Sequence, residues 1–203
     1  MVKHAKVWMT ESGKIAAAIA IALICAAAWF AFDAKSAQAL PVIPGAAGYG
    51  MDTPAGRGGT VYKVTSLADT NTPGTLRYAI NQSGPRIVVF EVSGTIEVND
   101  YLKIQNPYIT IAGQTAPSPG IFLRGAVISI ETHDVLIQHL RMAPGDDPDG
   151  VSPTNRDGLS INGLNGRAYN IVIDHCTITW SVDELFQTWN PYGDVTFRHV
   201  LAS

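Results

Sequence analysis

The chain has 203 residues, with 14 Lys+Arg against 17 Asp+Glu and a formal charge of −3, which excludes the basic stripe that a nucleic-acid binder needs. Nineteen Gly, 12 Pro and 8% aromatic residues fit neither a helical bundle nor a coiled coil, and a hydrophobic content of 46% excludes intrinsic disorder. The expectation is one folded domain.

Residues 1–39 read as a secretory signal peptide. Lys3, Lys6 and Lys14 precede the uncharged run from Ile15 to Phe32, and Ala37-Gln38-Ala39 offers a small-x-small cleavage site. An uncleaved N-terminal anchor is the alternative, since a run of this length sits at the lower limit for spanning a bilayer. Removing Lys3, Lys6, Lys14, Lys35, Glu11 and Asp33 leaves 10 Lys+Arg against 15 Asp+Glu, a formal charge of −5 for residues 40–203. Such a domain is expected to be soluble and not to bind a membrane surface. Cys176 is then the one remaining cysteine, so no intrachain disulfide forms and the exported domain relies on its core.

Along the rest of the chain, Gly56-Arg57-Gly58-Gly59 lacks the Lys and Ser/Thr of a phosphate loop and reads as a turn. Gly74 to Ile80 reads as a short amphipathic helix, capped by Thr75 and covering the first coil of a repeating array of strands. Short strands are expected over residues 87–90, 95–98, 121–123, 127–130, 159–161 and 185–187, punctuated by Gly, Asn, Asp and Pro. Four further segments share one alternating pattern: Tyr108-Ile109-Thr110-Ile111, Val135-Leu136-Ile137-Gln138-His139, Ile171-Val172-Ile173-Asp174-His175 and Val195-Thr196-Phe197-Arg198-His199. Superposing Ile111, Ile137, Ile173 and Phe197 gives spacings of 26, 36 and 24. The last three segments open with Asp134, Asn170 and Asp194 and close with His.

Period-2 alternation in a unit of this size predicts an all-β fold, a right-handed parallel β-helix whose aliphatic residues stack in inward ladders. The long interval is one coil with an insertion, Ala143 to Asn155, of the kind that carries function on a solenoid face. A β-sandwich would show similar alternation without the aligned units. His199-Val200-Leu201-Ala202-Ser203 follows an apolar strand with no capping segment, which suggests a truncated piece of a longer solenoid.

The chemistry-bearing residues are acidic: Asp146, Asp147 and Asp149 in the insertion, Asn155, Arg156 and Asp157 before a strand, and Asp183 and Glu184 with Gln187 one coil later. Asp157 and Asp183 lie 26 apart, close to one coil, so stacking brings them into one site. Carboxylates and an amide are the hard oxygen donors that Ca²⁺ takes and Zn²⁺ does not favour. Acidic residues in turns are otherwise simply solvated. His139, His175 and His199 read as packing or turn residues, with a histidine metal ladder as the alternative. Asp174 and His175 resemble an acid–base pair, but adjacent strand residues point to opposite faces, which argues against a dyad. No Gly-x-Ser-x-Gly elbow is present, and Cys176 inside an apolar strand reads as inert.

Several motifs resemble the pectate lyase family. They are Gly48-Tyr49-Gly50, the stretch from Gly56-Arg57-Gly58-Gly59 to Ser66-Leu67, Gly74-Thr75-Leu76-Arg77, and Gly84-Pro85-Arg86-Ile87-Val88-Val89-Phe90 with Ser93-Gly94-Thr95-Ile96. Ile111-Ala112-Gly113-Gln114-Thr115 and the run from Ile173-Asp174-His175-Cys176 to Val182-Asp183-Glu184 continue the likeness in the same order. The resemblance implies a secreted or periplasmic, calcium-dependent enzyme, monomeric at full length, that cleaves polygalacturonate by β-elimination. It implies calcium ligands at Asp157, Asp183 and Gln187, with Glu184 as a nearby alternative. Asn155 and Gln187 stand where the family often has carboxylates, which implies a less charged site and weaker calcium binding without substrate. The proton-abstracting arginine of the family would fall beyond Ser203, and Arg198 is too close in sequence to take that role. Arg141 and Arg156 are expected to bind substrate carboxylates. Two other classes remain: a polysaccharide-binding β-helix of the adhesin or tailspike kind, and an enzyme acting on a different sugar. A carboxylate-pair hydrolase would need two acids flanking the bond and no calcium.

Overall fold

The computed structural model describes residues 40–125, 128–148, 152 and 156–203; the expected signal segment lies outside them. Fifteen strands and one short helix are described: β1 (Thr60–Val64), α1 (Leu76–Asn81), β2 (Arg86–Phe90), β3 (Gly94–Glu97), β4 (Leu102–Ile104), β5 (Ile109–Ala112), β6 (Ile121–Arg124), β7 (Ile128–Ile130), β8 (Val135–Gln138), β9 (Leu140–Ala143), β10 (Leu159–Asn162), β11 (Ala168–Asp174), β12 (Thr177–Ile178), β13 (Phe186–Trp189), β14 (Tyr192–Arg198) and β15 (Leu201–Ala202). They form three parallel sheets, β1-β2-β5-β8-β11-β14, β4-β7-β10-β13 and β3-β6-β9-β12-β15. The complete coils give one strand to each sheet in turn, which is the β-helix expected from the repeats. Among the described residues no helix is long and apolar enough to cross a membrane.

The alignment of repeats is the register of the largest sheet. Ile111 pairs with Ile137, Ile137 with Ile173, and Ile173 with Phe197. Val88, Ile111, Ile137 and Ile173 point inward and are 0% exposed. Burying each such side chain stabilises the solenoid by roughly 1.5–3 kcal/mol. In the other two sheets the same inward role falls to Leu102, Ile104, Ile128, Ile130, Leu159 and Ile161, and to Ile96, Leu123, Met142 and Ile178.

The Asp/Asn and His residues that bracket the repeats are its corners. Asp134, Asn170 and Asp194 have φ of 57°, 54° and 51°, and His139, His175 and His199 have φ of 53°, 52° and 50°. Asn, Asp and His tolerate this left-handed region better than other side chains. The left-handed His just past each strand swings the chain toward the neighbouring sheet, while the left-handed Asp or Asn bends it on entry, Asp134 just before β8 and Asn170 and Asp194 at the third residue of β11 and β14.

Two additions cover the solenoid, one over its first coils and one over the outside of its largest sheet. Thr75 caps α1 by accepting from Tyr78 N, and Leu76, Ala79 and Ile80 bury against the first coils, as expected. Arg86, 0% exposed, locks that helix down: its guanidinium donates to five carbonyls, those of Ala79, Ile80, Gly84, Asn106 and Pro107. Residues 40–56 form a strap over the outside of the largest sheet, where Met51 and Ala55 cover the outward Leu136 and Val172.

Candidate functional site

The four-stranded sheet carries its polar residues outward. Lys103, Ser129, Ser160 and Gln187 pair in register across β4, β7, β10 and β13, with inward Leu or Ile on either side in the first three strands. Over this face runs a groove of about 370 Å³, bounded by Tyr101 at one edge and Trp189 at the other, with Glu131, Asp157 and Asn162 in its wall. Lys103 and Glu131 form an ion pair at 3.7 Å across the floor. An aromatic-edged polar trough of this kind suits a sugar chain, whose faces stack and whose hydroxyls hydrogen-bond. The alternation in β4, β7, β10 and β13 held the signal for these floor residues, which the motifs alone left unassigned.

At one end of the groove the expected acidic residues converge. Ligand atoms of Asp157, Asp183 and Glu184 all lie within 4.8 Å of one another. The in-register partner of Asp157 is Glu184, not Asp183: the strand register of β10 and β13 sets a spacing of 27, and Gly158 N donates to the Glu184 carbonyl at 2.9 Å. Glu184 N in turn points at Asp157 Oδ1 at 3.4 Å. Gln187 joins the cluster from β13, its amide donating to Glu184 Oε2 at 3.3 Å, while Ser160 Oγ donates to Gln187 Oε1 at 3.3 Å.

The electrostatics of this cluster are unbalanced. Asp157 is 4% exposed, and burial first, then the neighbouring Glu184 and Asp183 charges, push its carboxyl from 3.8 up to about 6. Among the described residues no Lys or Arg forms an ion pair with Asp157, Asp183 or Glu184. Burial, together with the Asp157 carboxylate, raises the Tyr101 phenol. Three carboxylates without a cationic partner are hard oxygen donors of the kind a divalent cation takes, while Gln187 turns its NH₂ to Glu184 and its oxygen to Ser160.

Neither of the two arginines expected to bind substrate carboxylates lines this groove. Arg141 is exposed on β9, donating to the Pro119 carbonyl at 3.1 Å with its guanidinium over the Phe122 ring. Arg156 is 2% exposed, and its guanidinium donates to the carbonyls of Gly145 and Asp147, tying down the near end of the insertion. Asp146 and Asp147 are exposed beside Trp180 around a second hollow. Asp149 and Asn155 lie outside the described residues. Arg198 sits on β14, on a different sheet from the groove, and pairs with Asp174 at 3.1 Å.

The expectation that Asp174 and His175 point apart is corrected. Strand alternation ends at Asp174, because His175 is left-handed, and its Nδ1 folds back to 2.8 Å from Asp174 Oδ1. The rings of His139, His175 and His199 stack at 4.8 and 4.3 Å.

These features place the chain among parallel β-helix proteins with an acidic cluster beside a surface groove. The relatives are consistent in name: a probable pectate lyase C of Emericella nidulans is 37% identical over 165 residues, covering 81% of this chain and 37% of that protein. That of Aspergillus oryzae is 35% identical over 167 residues, covering 82% and 37%. A putative pectate lyase 21 of Arabidopsis thaliana is 32% identical over 169 residues, covering 76% and 40%. No family model matches. The crystal structure of Jun a 1, the major allergen from cedar pollen, superposes with a TM-score of 0.60 at 22% identity, over 75% of this chain and 47% of that one, and shows the fold. Along these residues the chain belongs to the pectate lyase family, and it spans somewhat over a third of the length of the curated relatives it matches.

Proposed function

We propose that the groove binds the acidic polysaccharide polygalacturonate and that the chain supplies the calcium-binding part of a lyase that cleaves it by β-elimination. The observation that carries this is the cluster of Asp157, Asp183 and Glu184, within 4.8 Å and without a cationic partner among the described residues, at the end of an open polar groove. An anionic polymer is repelled by such a cluster unless a cation lies between them. Asp157, Asp183 and Glu184 would hold Ca²⁺, with Gln187 Nε2 donating to Glu184 Oε2 to orient that carboxylate. When bound, the ion neutralises a uronate carboxylate and so acidifies the proton on the adjoining ring carbon.

The chain's own residues do the rest of the positioning. Ser160 and Gln187 hold one another at 3.3 Å and keep the donor set in place on rigid strands. Lys103 supplies positive charge further along the floor for a second uronate, and Trp189 and Tyr101 offer flat faces at the rims. The base that removes the proton is not assigned to any described residue. Export across a membrane, directed by residues 1–39, belongs to the same reading, since the polymer is found outside cells.

The test is retention of polygalacturonate by this chain with calcium and with excess chelator, alongside the ultraviolet absorbance of unsaturated sugar ends as the readout of cleavage. Retention that requires calcium and is lost in Asp157→Asn with Asp183→Asn supports the reading. Retention indifferent to chelator and to both substitutions overturns it and leaves a sugar-binding β-helix.

A further inference from the structure

We propose that Asp174, His175 and His199 form a second metal site, for a borderline transition-metal ion such as Zn²⁺ or Ni²⁺, on a different face of the solenoid from the acidic cluster. Ligand atoms of the three residues lie within 4.8 Å of one another. Asp174 Oδ1 is 2.8 Å from His175 Nδ1 and 3.5 Å from His199 Nδ1. Two donors about 2.1 Å from a tetrahedral ion sit roughly 3.4 Å apart, so small side-chain movements convert these contacts into ligation. Two imidazole nitrogens and one carboxylate select this class of ion over calcium, which takes oxygen.

The site is built by the coil repeat. His175 and His199 occupy the same left-handed corner of successive coils, which stacks their rings 4.3 Å apart on the outside of the turn. Asp174 is 3% exposed, and Gln138 Nε2 donates to its Oδ2 at 2.9 Å, which leaves Oδ1 turned to the imidazoles. The histidine side chains are 45% and 55% exposed, so solvent and ions reach the site and a coordination position stays open to water.

Arg198 occupies this position in the protein without metal, and occupies it poorly. Its Nε lies 3.1 Å from Asp174 Oδ1 and 3.4 Å from His199 Nδ1, while its Nη1 is buried with no hydrogen-bond partner among the described residues. A divalent ion displaces the guanidinium from Asp174 and returns Nη1 to water, which relieves the unpaired buried group. Arg198 is therefore a competitor of the metal, and removing it should strengthen binding.

The experiment is calorimetric titration of the full chain with Zn²⁺ and separately with Ni²⁺. The expected result is uptake at one site, weakened at least about tenfold in His175→Ala, His199→Ala and Asp174→Asn, and tightened in Arg198→Gln. Asp157→Asn should leave it unchanged, which separates this site from the calcium reading. His199 lies just past β14 and is exposed, so His199→Ala is informative even if Asp174→Asn fails to fold. Absence of uptake by the native chain, or uptake that survives both histidine substitutions, overturns the proposal; so does uptake lost in Asp157→Asn or weakened in Arg198→Gln.

Discussion

Asp157 and Glu184 hold the same place on successive coils, with Gly158 N bonded to the Glu184 carbonyl at 2.9 Å and Glu184 N 3.4 Å from Asp157 Oδ1. The solenoid's repeat therefore sets two carboxylates side by side, one of them almost wholly buried and the other exposed.

The first consequence is a pH dependence. The Asp157 carboxyl rises from 3.8 to about 6 on folding, so between those values the folded state binds more protons than the unfolded one. Stability contributed by this group is full below pH 4 and falls as pH rises through 6, by on the order of 2 kcal/mol. In calcium-free buffer, Asp157→Asn should match the parent near pH 4 and exceed it near pH 8, as read from urea midpoints. Parallel midpoints at both values would remove the argument. Calcium should reverse the order at high pH by stabilising the parent alone.

Arg86 gives a larger effect with no pH signature near neutrality. Burial lowers its pKa to about 10, yet it stays charged because five carbonyls solvate it in place of water. Arg86→Met strands those carbonyls and frees the end of α1, which should cost about 3–5 kcal/mol. Arg86→Lys keeps the charge but cannot reach all five, and its urea midpoint should fall between the two.

The glycines Gly50 and Gly58 separate conformational strain from collision. Both have positive φ, 72° and 73°, but a Cβ at Gly50 would lie 2.2 Å from the Asp194 carbonyl oxygen, whereas one at Gly58 meets nothing within 4 Å. Gly58→Ala should cost about 1–2 kcal/mol, the left-handed penalty alone. Gly50→Ala should cost more and lift the strap from Leu136 and Val172, which limited proteolysis of residues 40–56 would register as earlier cleavage.

The repeats were legible because the same residues that pack inward recur with left-handed Asp, Asn and His on either side, so sequence and register report one pattern. The register of Ile111, Ile137, Ile173 and Phe197 follows residue for residue. The acidic site was legible only to within one position. A spacing counted from turn to turn gave Asp183, while the hydrogen-bonded register gives Glu184 as the partner of Asp157. The contact of Asp174 with His175 was not legible at all, because strand alternation fails at a left-handed residue and nothing in a single segment announces that conformation. Strands β1, β4, β9, β12 and β15 were missed: β4, β12 and β15 have two or three residues each and are defined by the coils beside them, while β1 and β9 lie outside the aligned repeat segments.

Cys176 provides a probe of that interlocking. It is 1% exposed, with its thiol directed to the Asp174 and Ile137 carbonyls, and burial pushes it up to about 11. A buried, protonated thiol reacts only when the coil around it opens. Its inward neighbours on three sheets belong to one contiguous core, so the coil should not open alone. Labelling of Cys176 by a thiol reagent, followed on its own peptide by mass spectrometry to separate it from Cys25, should be slow in native buffer and rise with urea in step with global unfolding. Rapid labelling before the unfolding transition would instead show that the coils between β11 and β12 part independently.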